Sequence, residues 1–569
     1  MPNESLVIRG GLVFDGTGAA PVARDVLVTD GVISVVEEQI GDVDAREIRA
    51  DGCWVLPGFI DPHTHLDAQL FWDPSGQPSV LHGVTTVITG NCGFGIAPCG
   101  DGAEEYLLRC LEAVEEIPYE STRQAVPFGW SDFSSYLDAL GDLDLGVNVA
   151  ALVPHSPLRH SVMGERAWTE PATPDDLAAM KQQLTAALAA GAVGFATSRG
   201  PNHVDGSGQP VPSRLADDDE LRALVEACAD RIWQINIQSK ADPTGDASLA
   251  EVAKYVSWSE EFGADFSWTP LLITPGDTVV WRRLVDQASE FEQRGGRRVL
   301  PQVSPLPLVS SIEFSGRSFA ESITGWSPAV RRLDGLDAAQ RLELIADESF
   351  RRVLRDTPED CGAMLSPCFD RWVLAASSTR PELVGKSLRE VGDALQTHPI
   401  DAFCDLAISD RLETVVQVPL VNLEPGQVAE AVGASSTLIG LGDAGAHVSS
   451  ITNYTYPTFL LASAARGELA MSTEQAVHEL TGKPAALFGL EDRGVIAPSA
   501  PADLVVVDPE RVALQPSRRV VDLPGGSARL LQEAQGYRAV IVGGVVVVDD
   551  DKPVGVKAGR VLRRASAVQ

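Results

Sequence analysis

One alternation restricts the fold of this chain more than any other feature. Between two strand-rich ends, short apolar runs take turns with segments of helical pattern: VNVAALVPH precedes DDLAAMKQQLTAALAAG, which is followed by AVGFATSR and then by DDELRALVEACAD. Repeated strand-then-helix units build a parallel sheet, because parallel neighbours need a long crossover and a helix supplies it. The ends read differently. SLVIRGGLVFDGTGAAPVARDVLVTDGVISVV at the start, and RGVIAPSAPADLVVVDPERV with YRAVIVGGVVVVDDDKPVGV near the end, are β-formers punctuated by Gly, Asp and Pro, as in short antiparallel strands. The economical arrangement is an α/β fold, a (β/α)8 barrel of the TIM type over residues 56–485. It is set into a small β-sandwich assembled from residues 1–55 and 486–569. The barrel span exceeds the ~250 residues of a minimal barrel, so insertions are expected, in the 276–400 region.

Charge excludes two classes of partner. The formal net charge of −34 repels nucleic acid and anionic membrane, because no basic patch can displace counterions from phosphates. No apolar run approaches the roughly 20 residues of a bilayer span. The start, MPNESLVIRG, lacks the basic and apolar regions of a signal peptide, so a cytoplasmic location is expected. The expected partner is a small-molecule substrate, and a homo-oligomer is compatible with the composition. Eight cysteines, at 53, 92, 99, 110, 228, 361, 368 and 404, are scattered without a CxxC pair and read as reduced thiols.

The residues that carry chemistry begin in VLPGFIDPHTHLD. An apolar run, Trp54 to Ile60, leads through Asp61 to His63 and His65, two positions apart. Residues i and i+2 of a strand point to the same side, so both imidazoles project together at the strand's carboxyl end. Such a pair grips a first-row divalent metal such as zinc. A second apolar strand, in SVLHGVTTVITGNCGFGIAPC, ends in Asn91 and Cys92, and a thiolate there adds a soft ligand. Downstream, TLIGLGDAGAHV ends a short strand at Asp443. A carboxylate in that place can bind the metal and take a proton from the attacking water; an ordinary helix N-cap is its plainer reading.

Together these residues resemble the amidohydrolase superfamily, and within it the D-aminoacylase-like branch, the N-acyl-D-amino-acid deacylases. The resemblance covers nearly the whole chain, through LVIRGGLVFDGTG, VLPGFIDPHTHLD, GVTTVITGNCGFGIAPC, ALVPHSPLRHSVMG, GAVGFATSR, GLGDAGAHV, KPAALFGLEDRGVIAPSAPADLVVVD and YRAVIVGGVVV. It implies that His63, His65 and Asp443 form one metal position, and that Cys92 joins two further histidines, from strands 5 and 6, in another. Those two are missing. RIWQINIQSK carries Asn236 where the first is expected, and ADFSWTPLL carries Trp268 or Thr269 for the second. His82, His160, His398 and His478 offer no replacement, and His155, His203 and His447 read as supporting groups. A centre holding one zinc ion is therefore expected, with Asp443 as the catalytic base.

The resemblance also implies a substrate with a free carboxylate beside the amide, which needs a cation in the pocket. Arg199, in FATSRGPNH, is the first candidate because it follows an apolar strand; Lys240 and Arg380 are further candidates, and His155 could face the site. The expected reaction is metal-dependent cleavage of a non-peptide C–N bond in an N-acyl amino acid or related carboxylate-bearing amide. The same donor pattern serves hydrolases and deaminases of cyclic amides and amidines. A barrel that had lost its metal would instead serve as a binding protein.

Overall fold

Eight parallel strands form the central sheet, in ring order β8, β7, β6, β5, β4, β3, β2, β1. They are β1 (Phe59–Asp61), β2 (Val84–Thr89), β3 (Asn148–Pro154), β4 (Gly194–Ser198), β5 (Ile232–Asn236), β6 (Asp265–Thr269), β7 (Val299–Val303) and β8 (Leu438–Ile439). The computed structural model describes residues 5–238, 244–294, 296–315 and 319–564. Residues just beyond β1 and β8 meet in a parallel bridge between Thr64 and Ala444, and the His65 N–H donates to the Ala444 carbonyl at 2.7 Å. That contact joins the two ends of the sheet, as a TIM-type barrel requires.

Every residue of β2, β3 and β4 is buried, as expected of parallel strands covered on both faces. One set of strand side chains, including Ile60, Ile88, Leu152, Ala196, Leu300 and Leu438, packs with Leu487, Phe488, Leu490 and Leu562. The other faces the helices. In the helix Val280–Gln293, for example, Trp281, Leu284, Val285 and Ala288 recur at the spacing of one helical face and are all buried.

The terminal strands form one nine-stranded sheet. Trp54–Pro57 pairs with Leu6–Val13 on one side and with Leu504–Val507 on the other, so the two ends of the chain are stitched side by side. Successive residues point to opposite faces. Leu504, Val506 and Ile541 join Leu6, Ile8, Val26 and Ile33 in a core of their own, while Val505, Val507, Val540 and Val542 join the large core of the barrel.

The insertion lies between β7 and β8. Strands Leu308–Ile312, Val373–Ala376 and Val415–Val421 make a small antiparallel sheet with a separate hydrophobic core. It begins later and ends later than the expected 276–400 window, because Val280–Gln293 belongs to the barrel wall. Within it Cys361 and Cys368 form a disulfide, which corrects the expectation of eight reduced thiols. The chain between them brings their Cα atoms to 4.9 Å, a closeness that no CxxC spacing announces. The other six cysteines are free and buried. Among the described residues no helix is long and apolar enough to cross a membrane.

Candidate metal centre

Ring closure gathers residues that are far apart in sequence. β1 and β8 meet through the Thr64–Ala444 bridge, so His63 and His65, just after β1, come beside Asp443, just after β8. Asp443 Oδ1 lies 3.3 Å from His63 Nε2 and 3.9 Å from His65 Nε2. Cys92, from the turn after β2, places Sγ 3.4 Å from His63 Nε2. The ligand atoms of His63, His65 and Cys92 all lie within 4.8 Å of one another, and all three residues are buried.

Each donor is held by its neighbours. The Nδ1–H of His63 donates to Gln302 Oε1 at 2.7 Å, which leaves the Nε2 lone pair facing Cys92 and Asp443. Gln302, on β7, is itself steered by its Nε2 donating to Ser267 Oγ at 3.1 Å. Cys92 sits in left-handed backbone, φ 55°, where a side chain is strained. A buried amide network fixes it there: its N–H donates to Gln234 Oε1, Gln234 Nε2 donates to Asn91 Oδ1, and Asn91 Nδ2 donates to the carbonyls of Thr64 and Ile88. Leu441, Asp443 and His447 also have positive φ. Strain of this kind collects where backbone geometry serves a site.

Electrostatics suit a cation. Burial holds both imidazoles below their usual pKa, with His63, His447 and His203 adding to the effect at His65. They are therefore neutral donors. Burial pushes the Cys92 thiol up, and the charges of Glu115 and Asp443 push it further; the side chains of Thr269 and Asn236 oppose this. A divalent ion is what turns such a thiol into a thiolate. Two imidazole nitrogens, one sulfur and one carboxylate could thus hold one ion of zinc type.

The match to the amidohydrolase family covers residues 46–320 and 389–548, leaving out only the ends and much of the insertion. The chain belongs to that family. This amidohydrolase is accordingly a metal-dependent hydrolase acting on carbon–nitrogen bonds other than peptide bonds, of the D-aminoacylase-like branch. It is 31% identical to an uncharacterised protein of Mycobacterium tuberculosis, over 98% of this chain and 95% of that one. It is 26% identical to the N-acyl-D-aspartate deacylase of Alcaligenes xylosoxydans, over 99% and 95%. A crystal structure of N-acyl-D-glutamate deacylase from Bordetella bronchiseptica, complexed with zinc and a phosphonate inhibitor, matches 99% of this amidohydrolase and 100% of that chain, with a TM-score of 0.65 at 24% identity.

At the ends of β5 and β6 this amidohydrolase departs from the family pattern. Asn236 and Thr269 lie against the Cys92 thiol, and Trp268 is fully buried. None of the three is an imidazole.

Of the residues expected at the substrate end, those that are described have partners within the chain. His155 is buried with both nitrogens engaged, by Thr197 Oγ1 at 2.7 Å and by Glu220 Oε1 at 3.0 Å, and Glu220 also pairs with Arg159. Arg199 pairs with Asp218 at 2.9 Å and donates to the Ala216 carbonyl. Arg380 lies in the insertion, where it pairs with Glu382. Lys240 falls outside the described residues. His203 is drawn in more closely than its sequence suggests: its Nδ1 bonds Ser198 Oγ, and its ring meets Phe94.

Two groups at the centre were not legible as such, and neither was Arg214, which lies beside His203. Gln302 carries no motif. Glu115, the last residue of α1 (Glu104–Glu115), brings Oε2 within 3.6 Å of His65 Nε2. Arg214 is half-buried and donates to the carbonyls of Pro201 and His203; among the described residues it has no acidic partner. For Glu115 and Arg214 a charged residue near a helix end or in a loop looks like a solvated one until the chain is folded.

Proposed function

We propose that this amidohydrolase cleaves the amide of an N-acyl amino acid, or of a related carboxylate-bearing amide, with one zinc ion held by His63, His65, Cys92 and Asp443. The convergence of four donors from the ends of β1, β2 and β8 carries the reading. The substrate class is supported by relatives named N-acyl-D-aspartate deacylase and N-acyl-D-glutamate deacylase. Zinc is supported by the mixture of imidazole and sulfur donors.

A bound divalent ion supplies Lewis acidity to the carbonyl and makes water a competent nucleophile near neutral pH. The chain does the rest. Asp443, the most exposed of the four donors with 23% of its side chain accessible, takes the proton of the attacking water and delivers it to the leaving nitrogen. Gln302 keeps His63 in the tautomer that offers Nε2 to the ion. Arg214, whose guanidinium is pushed down in pKa by burial, supplies the cation for the substrate carboxylate. Arg199 is already occupied by Asp218.

The test couples elemental analysis of the purified protein to a hydrolysis screen with N-acyl-D- and N-acyl-L-amino acids. About one ion per chain and turnover of at least one acyl amino acid are expected, with Asp443→Asn slower by about 10²–10⁴-fold, the range for lost acid–base catalysis. Two tightly held ions would contradict the single-ion centre. Metal without turnover would show that the substrate class is wrong. In the same assay Arg214→Met should raise KM for carboxylate-bearing substrates and spare neutral amides; equal effects on both would remove Arg214 from that role.

A further inference from the structure

We infer that Glu115 is an additional donor to the same ion, a carboxylate that reaches the centre from the end of α1. The inference rests on the reading that His63, His65, Cys92 and Asp443 hold a metal, and it adds a ligand that comes from a helix rather than from a strand end.

Distances point to it first. Two nitrogen or oxygen donors bound tetrahedrally to one zinc ion stand about 3.4 Å apart, given bonds of about 2.0–2.1 Å. Asp443 Oδ1 and His63 Nε2 are 3.3 Å apart, and Glu115 Oε2 and His65 Nε2 are 3.6 Å apart. The pair made by Glu115 therefore has the spacing of two ligands sharing an ion. It is shorter than the 3.9 Å between Asp443 and His65.

Electrostatics make the position costly without a cation. The Glu115 side chain is only 5% exposed, and a buried carboxylate is stable as an anion only when its charge is met. It stands at the last residue of α1, where the helix dipole already presents negative potential. Among the described residues no lysine or arginine pairs with it; its ion-pair neighbours are the imidazoles of His65 and, at 3.9 Å, His447. A divalent ion between Glu115 and the three buried donors would meet the charge directly.

Local structure holds the carboxylate there. Glu116, with φ 52°, ends α1 in a left-handed turn, and the Glu115 carbonyl accepts the N–H of His447 from the loop after β8. The backbone that carries Asp443 thus also anchors the residue that carries Glu115.

Cobalt(II) titrated into metal-free protein tests the inference spectroscopically. A near-ultraviolet sulfur-to-cobalt band reports that the ion sits at Cys92, and the strength of the visible d–d bands reports how many ligands surround it. Wild type should show the sulfur band with the weak visible bands of a six-coordinate ion, five side chains and one water. Glu115→Ala and the shape-preserving Glu115→Gln should show the sulfur band with visible bands several-fold stronger, and should bind at least about 10-fold more weakly, the lower end for disturbed metal sites. Glu116→Gln, which removes an adjacent charge, should match wild type. Thermal unfolding of the metal-free forms checks that each variant folds. Visible spectra and affinities unchanged in both Glu115 variants would overturn the inference and leave the metal reading standing, since a carboxylate serving only His447 would behave that way. A wild type without the sulfur band would overturn the metal reading itself.

Discussion

At His63 one ring nitrogen is committed to Gln302, and the other is thereby left as an electron-pair donor among Cys92 and Asp443. Replacing Gln302 with Leu removes the acceptor and frees the ring to turn or change tautomer. Metal affinity should then fall by about 10–100-fold, the usual effect of deleting an orienting partner, while His63, His65 and Cys92 remain in place. Isothermal titration with zinc measures this, and an unchanged dissociation constant would show that Gln302 does not fix the imidazole. The contrast between His63 and Gln302 explains what the sequence discloses at this scale. His63 and His65 announce themselves because two imidazoles at strand spacing have few other uses, whereas a glutamine that serves a histidine 239 positions away leaves no local pattern. His155 illustrates the converse: it follows a strand as a site residue would, yet Glu220 and Thr197 consume both of its nitrogens.

The turn after β2 shows how an element delivers a side chain. Gly90, with φ 79°, brings the chain so close to β3 that a Cβ on it would stand 2.2 Å from the Leu152 carbonyl oxygen. Gly102, with φ 72°, has open space around it. Gly102→Ala should cost only the left-handed penalty, about 1–2 kcal/mol. Gly90→Ala should cost at least about 2 kcal/mol more, because backbone must also move, and should displace Cys92. Denaturant midpoints of the two variants decide the matter; equal losses would mean that the contact with Leu152 is not close in solution. The barrel strands were legible because buried parallel strands are almost uninterrupted apolar runs, and the terminal strands because they alternate. The boundaries of the insertion were not legible. Its sheet and helices repeat the local patterns of the barrel, and only the separate core of Ile312 to Val421 distinguishes them.

His82 links the parts of the molecule, and its protonation couples their docking to pH. The ring is fully buried, donates from Nε2 to the Gln532 carbonyl near the C-terminal sheet, and meets Thr458 of the helix Tyr456–Ala465 through Nδ1 at 2.8 Å. The Tyr537 hydroxyl, at the start of a terminal strand, donates to the His82 carbonyl at 3.0 Å. Burial pushes the imidazole pKa down to about 4, while an unfolded histidine titrates near 6.5. Between these values the unfolded chain binds a proton that the folded one refuses, so stability falls as pH drops from about 6.5 to about 4. The full difference corresponds to about 3 kcal/mol at 1.36 kcal/mol per pKa unit. His82→Gln should be less stable than wild type at pH 7, having lost a buried hydrogen bond, but its stability should fall less between pH 7 and pH 5. Other titrating groups contribute equally to both proteins, so the difference between the two pH profiles isolates the imidazole. Parallel profiles would mean that His82 titrates in the folded protein as it does in the unfolded chain, and that the junction of barrel, helix and terminal sheet is open to water.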